Sequence, residues 1–510
     1  MSAITVDRNV STYEENGEHQ QPHPGGSSES HVLHRSIHEQ PIKVVKAYGM
    51  HLYLENGQKI LDATGGAAVA SLGHNHPAVK EAIIAQMDKF SYCHSLFFSS
   101  NVGEDLCKLL VDSTNGQMSK AFIVSSGSEA MEAAVKMARQ YFLELSPPQP
   151  RRLRFIARKE SYHGTTLGAL GMGGHVARRA LYEPMLSPHV SHVSACNVYR
   201  GMEDGENVLE YIARLQNELD DEFQRVGPDT VCAFVMEPVV GAALGCVPAP
   251  KGYIRAVRSV CEKYGALLIL DEVMCGMGRC GTIHAWMEEG VVPDLQTIGK
   301  GLGGGYAAVA GMLLGHKVVN VLGKGTGAFA HGQTYQGHPV ACAAALRVQQ
   351  IIQKESLVER VHRLGPRLGQ QLLSLLGKHP HVGDIRGRGF FWGIEFVQEK
   401  SSKKPFDPSE GVATSIHYLG MTEPHNVSLY PGTGTMDGER GDHVLIAPAY
   451  NIDEQELSDL AKGVVNVIQQ YFETRNRTRE EGISAHTNHI QNGVHKDDPR
   501  GGEGGPILLP

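Results

Sequence analysis

The 510-residue chain has few cysteines, no long apolar run and no long basic run, and each shortage closes off a class of protein. Nine cysteines, an odd number, lie scattered without a Cys-x-x-Cys pair, which favours neither a disulfide framework nor a zinc site and fits a reducing compartment. No stretch approaches the roughly 18 apolar residues that a membrane span needs. A net charge of −8 without basic runs argues against nucleic acid or an anionic membrane as the main partner, so a small molecule is the expected ligand. The amino terminus carries Glu14, Glu15 and Glu18 and no apolar core, unlike a secretory signal or an arginine-rich transit peptide, and a soluble cytoplasmic protein is expected.

What is present fits a loop-rich α/β enzyme: 41% hydrophobic residues, 59 glycines, and a length beyond the roughly 300 residues at which single cores stop growing. Residues 1–30 and 476–510 mix polar residues without periodicity and are expected to be disordered tails; their histidines, among them His19, His23, His486 and His489, are too irregularly spaced to favour a metal site. An Asn56-Gly57 pair between short apolar runs predicts a hairpin. Pro77 opens a helix whose apolar face is Val79, Ala82, Ile83, Met87 and Phe90. Another helix follows Pro250-Lys251-Gly252 and closes at Gly265. Strand and helix then alternate, which implies a largely parallel, doubly wound sheet in a large domain over 76–340. A linking helix from about Pro339 to Lys354 leads into a smaller α+β domain within 341–475, where residues 387–395 read as a strand region.

The most informative residue is Lys300, in Thr297-Ile298-Gly299-Lys300-Gly301-Leu302-Gly303-Gly304-Gly305. Two apolar runs lie upstream, at 231–236 and 266–270, and end in Glu237-Pro238 and Asp271-Glu272. If both are buried parallel strands, Glu237, Asp271 and Lys300 converge on the crevice beyond their carboxyl ends. Phe122-Ile123-Val124 runs through Ser125-Ser126-Gly127-Ser128-Glu129 into a helix. Ser126 and Glu129 fit a capping box, and the same helix start, with the Ser128 hydroxyl, could hold a phosphate.

The order Asp271-Glu272-Val273, Gly276-Met277-Gly278-Arg279, Pro293-Asp294-Leu295, Gly299-Lys300-Gly301 resembles the signature of the class III pyridoxal-phosphate aminotransferases, of fold type I. The resemblance runs from about Tyr53 to about Ile468. It implies that residues 31–75 join the small domain, and that Lys300 holds the cofactor covalently at rest and moves the substrate proton once displaced. Asp271 would keep the pyridine nitrogen protonated, so that the ring can take up an electron pair. Tyr162 and Val273 would cover the two ring faces, while Gly127 and Ser128 would form the phosphate cup. Glu237 matches the family's glutamate before proline, where it could balance a cation near the substrate or be a buried glutamate satisfied by backbone donors. Thr334, in His331-Gly332-Gln333-Thr334-Tyr335, matches the segment that reaches the phosphate in a neighbouring subunit, implying a homodimer with shared active sites. His331 and His338 are read as structural, and no metal ligand is assigned.

Two departures refine the expectation. Several ornithine- and GABA-type members carry Gln where this chain has Met274, which favours the amine, diamine and ω-amino acid branch. Arg440 is the nearest candidate for recognising a substrate carboxylate, with a surface arginine as the alternative. The implied reaction moves an amino group from an amine or ω-amino acid to a small 2-oxo acid, in a ping-pong cycle through pyridoxamine phosphate. Relatives that share Lys300 and Asp271 include aminomutases, decarboxylases and phospho-lyases, and a non-catalytic protein on the same fold is a further alternative. A dinucleotide-binding dehydrogenase is weaker, because the glycines at 299–305 lack the strand-to-helix G-x-G-x-x-G setting.

Overall fold

The computed structural model describes residues 30–38 and 40–492. Its centre is a seven-stranded sheet. In spatial order the strands are Met118–Val124, Ala310–Gly315, Leu295–Ile298, Leu267–Asp271, Val231–Met236, Arg154–Arg158 and Val190–Val193. Only Ala310–Gly315 runs antiparallel to its neighbours; every other pairing is parallel. Along the central strands successive residues enter opposite cores. Leu268 and Leu270 pack with the helices Val208–Val226 and Tyr253–Tyr264, whereas Leu267 and Ile269 pack with Gly127–Glu144. Burial on both faces is why these strands read as unbroken apolar runs.

Helix boundaries follow local chemistry. Ser126 accepts from the Glu129 N–H at 3.3 Å, and the Glu129 carboxylate takes the N–H groups of Ser125 and Ser126, which completes the capping box. Tyr253–Tyr264 ends at Gly265, whose φ of 65° suits glycine in a left-handed cap. Pro339–Lys354 has the expected bounds, and its face is divided: Cys342 and Ala345 join a core beside the large sheet, while Ala344, Val348 and Ile352 join the carboxyl-terminal core.

That second core lies under an antiparallel sheet of four strands, Val382–Arg388, Phe391–Phe396, Asp442–Ile446 and Tyr430–Thr433. The strand region expected at 387–395 is therefore part of a hairpin. Gly389 makes its turn with φ 58°, and a Cβ there would stand 2.5 Å from the Cys280 carbonyl carbon. The amino-terminal strands Val44–Tyr48, His51–Leu54 and Lys59–Asp62 form the Asn56-Gly57 hairpin and its neighbour, and Lys59–Asp62 pairs in parallel with Val427–Ser428. Ala63 and Leu72 enter the same carboxyl-terminal core.

One expectation is corrected. The chain does not lose its structure at residue 476, because the helix Glu454–Asn492 continues through it. Extending a formed helix gains a hydrogen bond for each residue ordered, and Arg, Glu and Gln extend it well even without apolar periodicity. Residues 1–29 and 493–510, with His19 and His23, lie outside the described residues.

The helix Leu357–Leu376 approaches the hairpin turn so closely that a Cβ on Gly365 would meet the Gly389 Cα at 2.5 Å. Propensity alone would make Gly365→Ala stabilising by about 1 kcal/mol. Overpacking against a backbone costs about 1–3 kcal/mol and should win. The expected outcome is a lower urea midpoint for Gly365→Ala; a raised midpoint would show that the turn yields.

Candidate active site

Parallel register decides which side chains meet at the end of the large sheet. Leu270 pairs with Met236 and Asp271 with Thr297, so Glu237, Asp271 and the segment leading to Lys300 emerge side by side. Asp271 is buried and oriented by donors on both oxygens. His163 Nδ1 lies 2.8 Å from Oδ2, while the Val273 N–H and the Thr297 hydroxyl donate to Oδ1 at 3.0 and 3.1 Å. Glu237 is buried as well, and burial, reinforced by the Asp271 charge, raises its pKa. Its carboxylate accepts from the backbone N–H groups of Tyr162 and Gly241, each at 3.1 Å. Both oxygens thus have backbone partners, the architectural alternative for this residue.

Lys300 follows the extended Gly299 with φ 42°, a left-handed conformation that a long side chain seldom adopts and that costs on the order of 1–3 kcal/mol. Burial lowers the pKa of its amine, the carboxylates of Asp271 and Glu237 oppose that shift, and the Arg178 guanidinium adds to it. A desolvated lysine is a better nucleophile near neutrality because more of it is unprotonated.

Around this centre two glycines let the backbone close on one aliphatic side chain, and a helix start offers free donors. A Cβ on Gly127 would meet Val273 Cγ1 at 2.9 Å, and one on Gly299 would meet it at 3.1 Å, so two glycines flank the Val273 side chain. At the start of Gly127–Glu144, the N–H groups of Gly127 and Ser128 donate to no protein acceptor among the described residues. Ser128 Oγ accepts from the Thr165 N–H at 2.9 Å, which leaves its own proton to donate. Unspent donors at a helix start suit a phosphate. Tyr162 is half-buried against Val240, Ala243, Leu244 and Val247. These residues fit pyridoxal phosphate: a cup for its phosphate, a fixed carboxylate, a buried amine, and apolar and aromatic side chains.

Over residues 32–468 the sequence matches the model of the family Aminotransferase class-III. The chain belongs to the class-III aminotransferases. It is 54% identical over 437 residues to an aminotransferase of Gibberella zeae, covering 86% of this chain and 85% of that one. It is 34% identical to gamma aminobutyrate transaminase 3 of Solanum lycopersicum, over 86% of this chain and 82% of the relative. Among solved structures it is similar to the PLP-bound amine transaminase from an uncultivated Pseudomonas species, with a TM-score of 0.79 and 29% identity over 90% of this chain and all of the other. The fold is that of the fold type I transaminases.

Two further assigned residues stand apart from the centre of this aminotransferase. Thr334 is exposed; its carbonyl accepts from Tyr92 at 3.1 Å, while its hydroxyl has no partner among the described residues. Arg440 lies in an exposed turn with a carboxylate of its own, Nε to Asp437 Oδ2 at 2.7 Å. His163, Thr297 and Glu272 are neighbours of the centre that the sequence reading left without roles. Glu272 is buried beneath Asp271 and accepts from the N–H groups of Ala285 and Trp286 and from Gln296 Nε2. Burial pushes its carboxyl up to about 7. His163 directly follows Tyr162, and that adjacency was the available signal; Thr297 needed the strand register.

The lowered amine pKa of Lys300 is open to measurement. In the cofactor-free protein, competitive acetylation followed by peptide mapping should give Lys300 a reactivity midpoint below the ordinary lysine value of about 10.4. A midpoint at or above that value would mean that the carboxylates outweigh burial.

Proposed function

We propose that this aminotransferase binds pyridoxal phosphate in the crevice around Lys300 and carries an amino group from an amine or ω-amino acid donor to a small 2-oxo acid in two half-reactions. The observation that carries the reading is the buried, left-handed Lys300 amine beside an Asp271 oriented through both oxygens, with unspent N–H donors at Gly127 and Ser128. When bound, pyridoxal phosphate supplies an electron-withdrawing ring that accepts the pair left as a substrate carbon loses its proton. Asp271 would hold the ring nitrogen, His163 and Thr297 would keep that carboxylate aimed, and Val273 and Tyr162 would confine the ring. Lys300 Nζ would anchor the group at rest and, once displaced by the donor amine, take the proton from the substrate carbon and return it to the cofactor. The donor class is supported by the relatives named for gamma aminobutyrate and for amines.

We assign the working unit as a homodimer with shared sites. Leu96, Phe97 and Phe98 are 74, 73 and 65% exposed, and Tyr92, just before them in sequence, packs edge-on to Tyr335 and donates to the Thr334 carbonyl. A cluster of large apolar side chains left open to water suits contact with a second chain. The nine cysteines are all free thiols, which supports a cytoplasmic setting, and no described helix is long and apolar enough to cross a membrane.

Purified protein should be yellow, borohydride should fix the cofactor to the Lys300 peptide, and productive donors should bleach the colour while forming a carbonyl product. An adduct on another lysine, or bleaching without amino transfer to any 2-oxo acid, would defeat the assignment. Shared sites have their own test. Mixed dimers of Lys300→Ala and Thr334→Ala subunits should place both lesions in one site and recover activity from the other. Two feeble parents that give no recovery, in mixed dimers shown to form, would return Thr334 to its own chain.

A further inference from the structure

The short helix Val176–Arg179 carries two adjacent arginines that meet different fates. Arg179 is spent on the fold: its guanidinium donates to the Gly171 and Gly173 carbonyls at 2.9 and 2.6 Å and pairs with Glu183. Arg178, held in place by its neighbour, has no hydrogen bond and no ion pair among the described residues. Its guanidinium carbon lies 4.8 Å from the centre of the Tyr162 ring. Tyr162 in turn donates its backbone N–H to Glu237, so the cation stands at the wall of the Lys300 crevice.

The acids around it are engaged elsewhere. Glu237 is held by two backbone donors, Asp271 by His163, Val273 and Thr297, and Asp437 by Arg440. The nearby histidines add no cation of their own: His175 is held below its ordinary pKa by burial and by Arg178, and His443 is pushed down to about 3 by burial. A half-buried cation without a carboxylate of its own calls for an anionic ligand. The planar guanidinium matches a carboxylate through two parallel hydrogen bonds. A phosphate already has its donors at Gly127 and Ser128.

We propose that Arg178 is the carboxylate-recognising residue of this site, taking the carboxylate of the 2-oxo acid acceptor and of an ω-amino acid donor. This inference rests on the amino-transfer reading given above, and it moves carboxylate recognition from Arg440, whose Nε pairs with Asp437 in an exposed turn, to the wall of the crevice.

The test compares wild-type holoenzyme with Arg178→Gln, Arg178→Lys, Arg440→Gln and Arg35→Gln. Arg35 is included because its charge also reaches Tyr162. Two amine donors of equal length are used, 4-aminobutyrate and butylamine, which differ in the carboxylate. Pentanoate, which cannot react, reports carboxylate binding by calorimetry. Arg178→Gln should lower the ratio of kcat/KM for 4-aminobutyrate over butylamine, and weaken pentanoate binding, each by about 10- to 100-fold, as loss of a charged hydrogen-bonded contact does. Arg178→Lys should recover part of both. An unchanged ratio and pentanoate affinity, or a loss that follows Arg440→Gln or Arg35→Gln instead, overturns the proposal. So does cofactor loss with an unchanged ratio, which would give Arg178 a role toward the ring or phosphate. If the wild type transfers from no amine, the amino-transfer reading fails separately, and pentanoate binding still decides Arg178.

Discussion

Glu237, Asp271 and Lys300 are ionisable groups crowded out of water at one end of a sheet, and the local structure is arranged around the cost of putting them there. An unpaired buried charge costs several kcal/mol, so each carboxylate must be given donors. The parallel register supplies some: pairing Asp271 with Thr297 brings a hydroxyl to Oδ1. The loop after Arg154–Arg158 supplies others, His163 for Asp271 and the Tyr162 N–H for Glu237. Beneath them Glu272 is met by Ala285, Trp286 and Gln296, so the acid next to Asp271 in sequence is satisfied away from the crevice. The alternation of a strand thus sends one carboxylate toward the site and its neighbour into the scaffold.

Much of this was legible in the sequence, for identifiable reasons. Central strands buried on both faces leave continuous apolar runs, and the helices announce their ends through Pro77, Gly265 and the Ser126–Glu129 pair, signals that depend on local backbone chemistry. Lys300 and Asp271 stood out because their motif couples residues on consecutive strand ends. What stayed hidden depends on tertiary placement. The turn at Gly389 is required by the approach of Cys280, more than a hundred residues away in the chain, so residues 387–395 looked like one strand region. Thr297 could be linked to Asp271 only through register. The helix to Asn492 continues through polar residues that show no periodicity.

Arg178 and Arg440 show how little residue type decides alone. Both are arginines near the same wall: Gly438, in the Arg440 turn, packs so tightly that a Cβ would meet the Val176 side chain at 2.8 Å. The difference between them is what each guanidinium already holds. Asp437 lies three residues before Arg440 and pairs with its Nε within one turn, an exposed local pair worth little to stability that still gives this guanidinium a carboxylate of its own. Arg178 has no acid on its own short helix, and no ion pair reaches it among the described residues.

The same contrast runs through the site as a whole. Buried polar atoms without partners occur in the scaffold too, Arg279 Nε and Gln349 Oε1 among them, but at the site they gather around one crevice: the N–H groups of Gly127 and Ser128, the buried His163 Nε2 and the Arg178 guanidinium, beside the strained backbone of Lys300. Each is a modest cost to the folded chain. Each also marks where an interaction with a ligand has no protein contact to displace, so binding there gains in full what the fold has left unmade. Their distribution is chemically ordered. Anion donors stand at the helix start and at Arg178, a nucleophilic amine lies between two engaged carboxylates, and an aromatic ring lies beside the cation. An arrangement of that kind suits a flat anionic cofactor and a carboxylate-bearing substrate better than a neutral or cationic ligand.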